Sequence, residues 1–254
     1  MSQTMPQSHY DCPCMEKCPL HHAMQLIGGK WKVQILCSVT NAGTIRYNAL
    51  RGKLDGISNT VLSSALRELE LTPADLTAIL ITHTHTDHIA GLSTLLKRCE
   101  APVIGTRQTL WTLADRLGVG GGRLQPLEPG APAALGNCQV SAFPTSHDAP
   151  GSCGWRLDTE SGSVGFLTDT GYVTDEALDL LPGVDFVILE SNHDVESLCS
   201  GPYPYYLKQR ILGLQGHLCN EDAAQFAVTL AENGASDIVL AHLSRDNNTP
   251  AMAL

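Results

Sequence analysis

Three histidines and one aspartate are clustered in a short segment that directly follows an apolar stretch. Residues 76–81 are apolar almost throughout and have the length of a strand, which predicts a strand buried on both faces. His83 and His85 are two residues apart in an extended segment, so their side chains point to the same side. Asp87 and His88 follow where the chain turns into a helix with one apolar face. Imidazole and carboxylate groups are the usual ligands of zinc and related divalent metals, and the segment therefore predicts a metal site.

The alternative is a polar turn that happens to be rich in histidine, but a similar arrangement recurs later in the chain. By itself, Asp169 would be an ordinary turn residue and His147 a loop histidine. In α/β sheets, however, side chains at the carboxyl ends of the strands converge on one edge, where sites form. The recurrence therefore favours one metal site built from several strand ends. The further residues that directly follow a predicted apolar strand are His147, Asp169, His193 and His242.

Two histidines keep several roles open from the residues alone. His193 and His217 could each act as a general acid, as a donor to a phosphate or as a partner that orients a metal ligand. A purely structural role is an equal alternative for each of them. Both are retained as catalytic candidates.

The spacing His-x-His-x-Asp-His at residues 83–88 resembles the signature of the metallo-β-lactamase superfamily. The resemblance implies an α/β fold, an αβ/βα sandwich of two sheets, and two divalent metal ions that activate a shared hydroxide for hydrolysis of an ester-like bond. Zinc is the metal that we expect, with manganese or iron as alternatives. Asp87 would also orient the nucleophile and is a third catalytic candidate. The ligands that the resemblance implies are His83, His85 and His147 for one metal, Asp87, His88 and His242 for the second, and Asp169 between the two.

Three later segments resemble a finer branch of that superfamily, the YycJ-like proteins. They are residues 189–194, 216–224 and 241–250. The branch is associated with exonuclease action on DNA, so the resemblance implies a phosphodiesterase with nucleic acid as its substrate.

The segment at residues 18–70 has a different, helical pattern. Helices are predicted at residues 21–27, 31–39 and 47–54, and a fourth helix is capped by Ser58. Val61, Leu62, Leu66 and Leu69 would form the buried stripe of that fourth helix. Its outer face is small and polar, as expected for a helix that lies in a DNA major groove. The candidate DNA-binding residues are Ser58, Asn59, Thr60, Ser63, Ser64 and Arg67.

Residues 18–20, 27–31, 46–50 and 56–69 resemble the HxlR-type winged helix-turn-helix regulators. The resemblance implies DNA binding by the fourth helix and redox sensing by Cys18. The sequence runs directly from this helix into residues 71–76, so the two-stranded wing of those regulators is expected to be absent. The alternative is a small helical module that binds another protein.

Composition and charge predict the organisation of the chain. The chain has 254 residues and a net charge of −10, and the acidic residues are concentrated after residue 70. Three parts are predicted: a flexible cysteine-rich segment at 1–17, the wing-less helical segment at 18–70, and a hydrolase domain at 71–254. Compared with the superfamily, the hydrolase domain lacks its N-terminal strands and its last helix and strand, which suggests a fusion of two truncated domains or a gene-model join.

The sequence also predicts where the protein acts. It contains no apolar run of 18 residues and no signal peptide, and its nine cysteines suit reduced thiols. We therefore expect a cytoplasmic protein without a membrane partner. A homodimer is an additional expectation.

Three hypotheses of function result. The first is a binuclear-metal hydrolase that acts on DNA. The second is an HxlR-type transcriptional regulator, with nucleic acid as its operator and a metal- or redox-sensing C-terminal part. The third is a protein with neither activity. The complete ligand set and the missing wing favour the hydrolase.

Overall fold

The computed structural model describes residues 31–32, 34–35, 47–54, 56–68, 76–160 and 162–254. These residues belong to two compact units, the first reaching to Glu68 and the second beginning at Leu76. Cys18, the predicted helix at residues 21–27 and the junction where the wing would follow lie outside the described residues.

The first unit contains helices α1 (Tyr47–Lys53) and α2 (Asn59–Glu68). The amide of Val61 donates to Ser58 Oγ at 3.2 Å, so Ser58 caps α2 as predicted. Trp31 packs against an apolar cluster in this unit. The buried members of that cluster are Ile35, Leu50, Leu54, Ile57, Leu62 and Ala65.

The predicted buried stripe of α2 is wrong at Val61, which is 42% exposed. Leu62 and Ala65 are three residues apart and both buried, so the buried face runs through them and Val61 lies beside it. The side chains of Leu66 and Leu69 lie outside the described set, as do those of Ser63 and Arg67. The remaining candidate DNA-binding residues are exposed: Ser58, Asn59, Thr60 and Ser64.

The second unit begins with a parallel sheet of three strands. Its strands are β1 (Ile79–Leu80), β2 (Val103–Gly105) and β3 (Leu124–Pro126), in that order. Helices α3 (Thr86–Ile89), α4 (Leu92–Leu95) and α5 (Arg107–Leu117) contribute to the apolar cluster on one face of this sheet. The prediction of a strand at residues 76–81 that is buried on both faces is wrong, because β1 has only two residues, is half-buried and is an outer strand among the described residues. The single predicted helix after it is broken into α3 and α4.

A sheet of six strands follows, in which spatial order matches chain order. Strands β4 to β7 are antiparallel, whereas β7, β8 and β9 are parallel and need helical crossovers. The strands are β4 (Ala133–Leu135), β5 (Cys138–Pro144), β6 (Cys153–Thr159), β7 (Gly162–Leu167), β8 (Phe186–Glu190) and β9 (Asp237–Ala241). The helices are α6 (Asp175–Leu180), α7 (Val195–Ser200), α8 (Tyr205–Leu212), α9 (Asn220–Glu232) and α10 (Pro250–Ala253).

Two apolar layers show how the sheets are stacked. Alternate residues of β5 face opposite ways: Val140 packs with Ile104 of the small sheet, whereas Phe143 packs with Phe226 of α9. One core therefore lies between the sheets and another lies between the large sheet and its helices. With α3 to α5 on the small sheet, this is the predicted αβ/βα sandwich.

An asparagine side chain at the start of α9 connects this helix to other elements. Cys219 occupies the cap position, and Asn220 is the first helical residue. The Asn220 side chain is buried, where its Oδ1 accepts from Ser191 Oγ at 2.7 Å and its Nδ2 donates to Asn248 Oδ1 at 3.1 Å. Because these bonds join α9 to the end of β8 and to the last segment of the chain, Asn220 connects elements instead of ending a helix.

The direction of the strands places four chain segments at one edge. Strands β5, β7, β8 and β9 all run the same way in the large sheet, so the residues after each strand meet there. Two of those residues, Asp169 and His242, have a φ of 58°, a conformation that non-glycine residues rarely adopt outside functional sites. Across the described residues, no helix is long and apolar enough to cross a membrane.

Candidate metal centre

His83, His85 and His147 form one group of candidate metal ligands, the first ligand group. One ring nitrogen of each lies within 4.8 Å of the others. His147 Nδ1 donates to the Gly216 carbonyl at 3.0 Å, which leaves its Nε2 as an acceptor, 3.1 Å from His85 Nδ1. His83 is fully buried, with Nδ1 at 3.1 Å from Thr82 Oγ1. The rings are therefore held by their outer nitrogens, and their inner nitrogens face one another.

Asp87, His88 and His242 form the second ligand group. Asp87 Oδ2 lies 3.5 Å from His88 Nε2 and 3.8 Å from His242 Nε2. The Asp87 side chain is 67% exposed, more than any ligand of the first group, in which the His85 side chain is 31% exposed.

Asp169 lies between the two groups. Its Oδ1 is 3.7 Å from His147 Nε2 of the first group, and its Oδ2 is 3.3 Å from His88 Nε2 of the second. The carboxylate is buried, and Oδ2 makes no hydrogen bond within the described structure. Oδ1 is also 3.6 Å from His242 Nδ1, so the Asp169 carboxylate lies close to histidines of both ligand groups.

Glu190, which the sequence did not single out, holds two of the histidines. It is fully buried, and its Oε1 accepts from His217 Nδ1 and from His242 Nδ1, both at 2.8 Å. Its Oε2 accepts from the amide of Thr170 at 2.9 Å. Glu190 is the last residue of β8. No pattern in the sequence indicates that two imidazoles donate to it, and only the fold shows this.

Burial and neighbouring charges set the protonation of the site. Burial, together with the surrounding histidines, lowers the pKa of His83 to about 2, so its ring is neutral at pH 7. Burial favours the acid form of Glu190, but its hydrogen bonds with His217 and His242 outweigh this and lower its pKa to about 2. Burial similarly opposes a charge on His242, whereas Asp87 and Glu190 raise its pKa to about 10. The interaction with His242 also holds the pKa of Asp87 well below its usual range.

The donor set fits divalent metal ions. His83 Nε2 and Asp169 Oδ2 are buried without a hydrogen-bond partner, and such orphaned atoms are rare in folded proteins. The ring centroids of His83 and His88 are only 4.1 Å apart, a close approach for two imidazoles. Imidazole nitrogens and carboxylates that converge in this way are a typical site for zinc, iron or manganese.

His217 and His193, the two open catalytic candidates, lie in different places. His217 lines a cavity of about 310 Å³ together with His85, His147 and His242. His193 is only 1% exposed and does not line this cavity, and both of its ring nitrogens lack partners among the described residues. The structure therefore brings His217, but not His193, to the surface that a substrate could reach.

Comparison with known families agrees with this geometry. Residues 55–243 match the model of the β-lactamase superfamily domain, which covers more than half of the chain. The chain belongs to the β-lactamase superfamily. It is a metal-dependent hydrolase of the metallo-β-lactamase fold, as the sequence predicted. Residues 26–74 match the model of the HxlR-like helix-turn-helix, so the two matches overlap between residues 55 and 74.

Two curated relatives and one solved structure are similar to this chain over most of its length. It is 34% identical over 229 residues to the exodeoxyribonuclease WalJ of Streptococcus pneumoniae, covering 88% of this chain and 85% of WalJ. It is 35% identical over 200 residues to the exodeoxyribonuclease YycJ of Bacillus anthracis, covering 78% and 75%. The fold matches the metallo-β-lactamase fold protein YhfI from Bacillus subtilis with a TM-score of 0.54, at 19% identity, over 75% of this chain and 74% of YhfI.

Proposed function

We propose that the protein is a phosphodiesterase that hydrolyses DNA with two divalent metal ions. The position of Asp169 carries this proposal, because its buried carboxylate lies between the two ligand groups and close to histidines of both. His83, His85 and His147 would hold one ion, Asp87, His88 and His242 the other, and Asp169 would contact both. Zinc suits this histidine-rich set best, with manganese or iron as alternatives.

The metal ions would supply a Lewis acid and an acidified water for attack on phosphorus. The residues of the chain then have separate tasks. The exposed Asp87 carboxylate, with its lowered pKa, can accept a hydrogen bond from the attacking water and orient it. His217 lines the cavity and is held by Glu190, which remains a carboxylate and can stabilise an imidazolium. His217 is therefore placed to donate a proton to the leaving oxygen.

DNA is the substrate that the relatives suggest. Both WalJ and YycJ are named exodeoxyribonucleases, and the chain covers most of each. Among the residues that line the cavity are the titratable side chains of Asp148, Arg210 and His217, which can contact a charged diester.

The test combines metal content with cleavage of labelled DNA. Protein purified without added metal should hold about two divalent ions per chain and should shorten DNA from an end. Asp169→Asn should lower both the metal content and the rate, the rate by on the order of 1,000-fold. Asp179→Asn, an exposed change of the same kind on α6, should alter neither. Folded protein that binds no metal on titration would exclude the proposal.

A second candidate function belongs to the first unit. Helix α2 is capped by Ser58 and exposes Asn59, Thr60 and Ser64, a small polar surface that can contact base edges. We propose that this face binds double-stranded DNA, with the boundary of the helical segment near residue 70. Duplex binding in the presence of chelator should weaken in Asn59→Ala plus Ser64→Ala and persist in Asp169→Asn. If the wild type, the double variant and Asp169→Asn bound the duplex equally, this second function would be excluded. Cys18 as a redox sensor and a homodimer stay predictions.

A further inference from the structure

Two cavities lie side by side at the metal centre. The first, of about 310 Å³, contains the candidate metal ligands His85, His147 and His242. The second, of about 690 Å³, has none of these histidines in its wall. Both cavities are lined by Asp148, Arg210 and Gln215, which therefore separate the metal centre from a neighbouring space.

The wall between the cavities is an ordered ion pair. Arg210 Nε donates to Asp148 Oδ2 at 2.6 Å, and Asp148 Oδ1 lies 3.4 Å from His85 Nε2 and 3.6 Å from His147 Nε2. The guanidinium is thus anchored through Nε beside the ligands of the first group. Its two terminal Nη groups make no hydrogen bond to any described residue, and together they form a planar fork that matches the oxygens of a phosphate.

The second cavity is held in shape by hydrogen bonds between loops. Ser146 Oγ donates to the Leu214 carbonyl at 2.7 Å, and the amide of Gly171 donates to the Ser146 carbonyl at 2.8 Å. A Cβ at Gly171 would overlap the Leu214 carbonyl, so the loops are packed as closely as a glycine allows. Tyr172 is 45% exposed and Leu214 is 74% exposed, and both line the cavity as flat or apolar surfaces.

Charge points to the ligand of this second cavity. Among the residues that line the two cavities, Arg210 is the only one with a permanent positive charge, in a chain of net charge −10. An anion that enters here meets one fixed fork, next to an aromatic ring on which a base can stack. Asp148, which pairs with Arg210, also lies beside His85 and His147 of the metal centre.

We propose that the second cavity is a nucleotide subsite. The subsite binds the nucleotide next to the scissile bond. The phosphate of that nucleotide binds the Nη groups of Arg210, and its base packs against Tyr172 and Leu214. Arg210 is then a positioning residue that sets preference for a polynucleotide over a small diester. This inference rests on the proposed phosphodiesterase function.

The test compares Arg210→Gln with the wild type on two substrates. One is a single-stranded oligonucleotide, and the other is bis(p-nitrophenyl) phosphate, which has no second phosphate to bind. The ratio of kcat/KM for the oligonucleotide to that for the small diester should fall on the order of 10-fold, chiefly through KM. The slope of log(kcat/KM) against log salt should become shallower by about 0.7 for the oligonucleotide, because one phosphate contact is lost. Arg210→Lys should restore part of the ratio, because the charge remains but the fork is lost.

The matched control is Arg107→Gln. Arg107 is exposed, is paired with Glu128 and lines neither cavity, so the same loss of charge should leave the ratio and the salt slope unchanged. Tyr172→Leu should lower the ratio on the order of 10-fold through lost stacking, and Tyr172→Phe should retain it. Metal content of each variant reports an intact centre.

The outcomes separate the two claims. If the wild type cleaves the oligonucleotide and Arg210→Gln keeps the wild-type ratio and salt slope, the subsite is wrong and the proposed function stands. An equal loss on both substrates also overturns the subsite, because Arg210 then acts through the metal centre. If the wild type hydrolyses only the small diester, both the DNA substrate and the subsite are excluded.

Discussion

The two ligand groups contain the same kinds of residue but lie in different surroundings. In the first group, His83 is fully buried and the His147 side chain is 2% exposed. In the second group, the Asp87 side chain is 67% exposed. The rings of the first group are fixed by Thr82 and by a backbone carbonyl, whereas His242 of the second is fixed by Glu190. The first group therefore has two buried ligands, whereas the second group has none.

This difference predicts unequal metal affinity. Ligands held by buried hydrogen bonds lose little freedom when a metal binds, but an exposed carboxylate must be ordered at that step. We expect the first group to retain its ion more tightly and the second group to exchange more readily.

The largest effect is expected from breaking each group in turn. His83→Asn should abolish tight metal binding by the first group and lower the rate by on the order of 1,000-fold. Asp87→Asn should leave about one tightly held ion per chain, because the first group is intact. Elemental analysis after dialysis against a weak chelator measures the metal content of both variants. Equal metal loss in the two variants would contradict the predicted difference in metal affinity between the groups.

A smaller effect is expected from Glu190→Gln. A glutamine has a donor NH2 in place of one carboxylate oxygen, so it cannot accept from the two imidazoles and also from the amides of Thr170 and Leu218. His217 and His242 would therefore lose their orientation. Metal affinity of the second group or the rate should fall about 10- to 100-fold. Glu232→Gln, an exposed change at the end of α9, is the matched control. Wild-type affinity and rate in Glu190→Gln would show that the carboxylate does not position these rings.

The stability of the metal-free protein should depend on pH in opposite directions for His83 of the first group and His242 of the second. Below about 6.5, the unfolded chain protonates at His83 while the folded protein does not, since the folded pKa is about 2. Stability should therefore fall as the pH falls, by about 1.4 kcal/mol per pH unit for this one proton. For His242 the folded pKa is about 10, so its contribution is present below about 6.5 and is lost as the pH rises toward 10.

Urea midpoints between pH 5 and pH 9, with metal removed by chelation, test this contrast. His83→Asn should flatten the acid side of the profile and His242→Asn the alkaline side. The prediction is wrong if either variant leaves its own side as steep as in the wild type.

The smallest effect is expected from Thr82→Val. This change keeps the shape of the side chain but removes the hydroxyl at 3.1 Å from His83 Nδ1. The free energy of unfolding should fall by about 1 kcal/mol, and the first group should bind metal less tightly. Thr82→Ser retains the hydroxyl and should behave as the wild type in the same chemical denaturation.

Much of the fold could be predicted because it follows from local patterns. The apolar runs before His147, Asp169, His193 and His242 became strands β5, β7, β8 and β9. Strands β3, β4 and β6 were missed, since β3 and β4 have only three residues each and β6 carries Arg156 and Asp158, which pair with one another within the strand. The exposed Val61 was misassigned, because burial depends on which elements pack against a helix.

The sequence by itself determined which residues converge at the metal centre. The two-residue period of extended backbone places His83 and His85 on one side of their segment, and the common direction of β7 and β9 brings Asp169 and His242 to one edge of the large sheet. Tertiary structure alone decided which group is buried, that Glu190 holds two histidines and that Arg210 pairs with Asp148. The reason is distance along the chain: His147 contacts His85 across 62 residues and Gly216 across 69, and no local periodicity encodes such pairs.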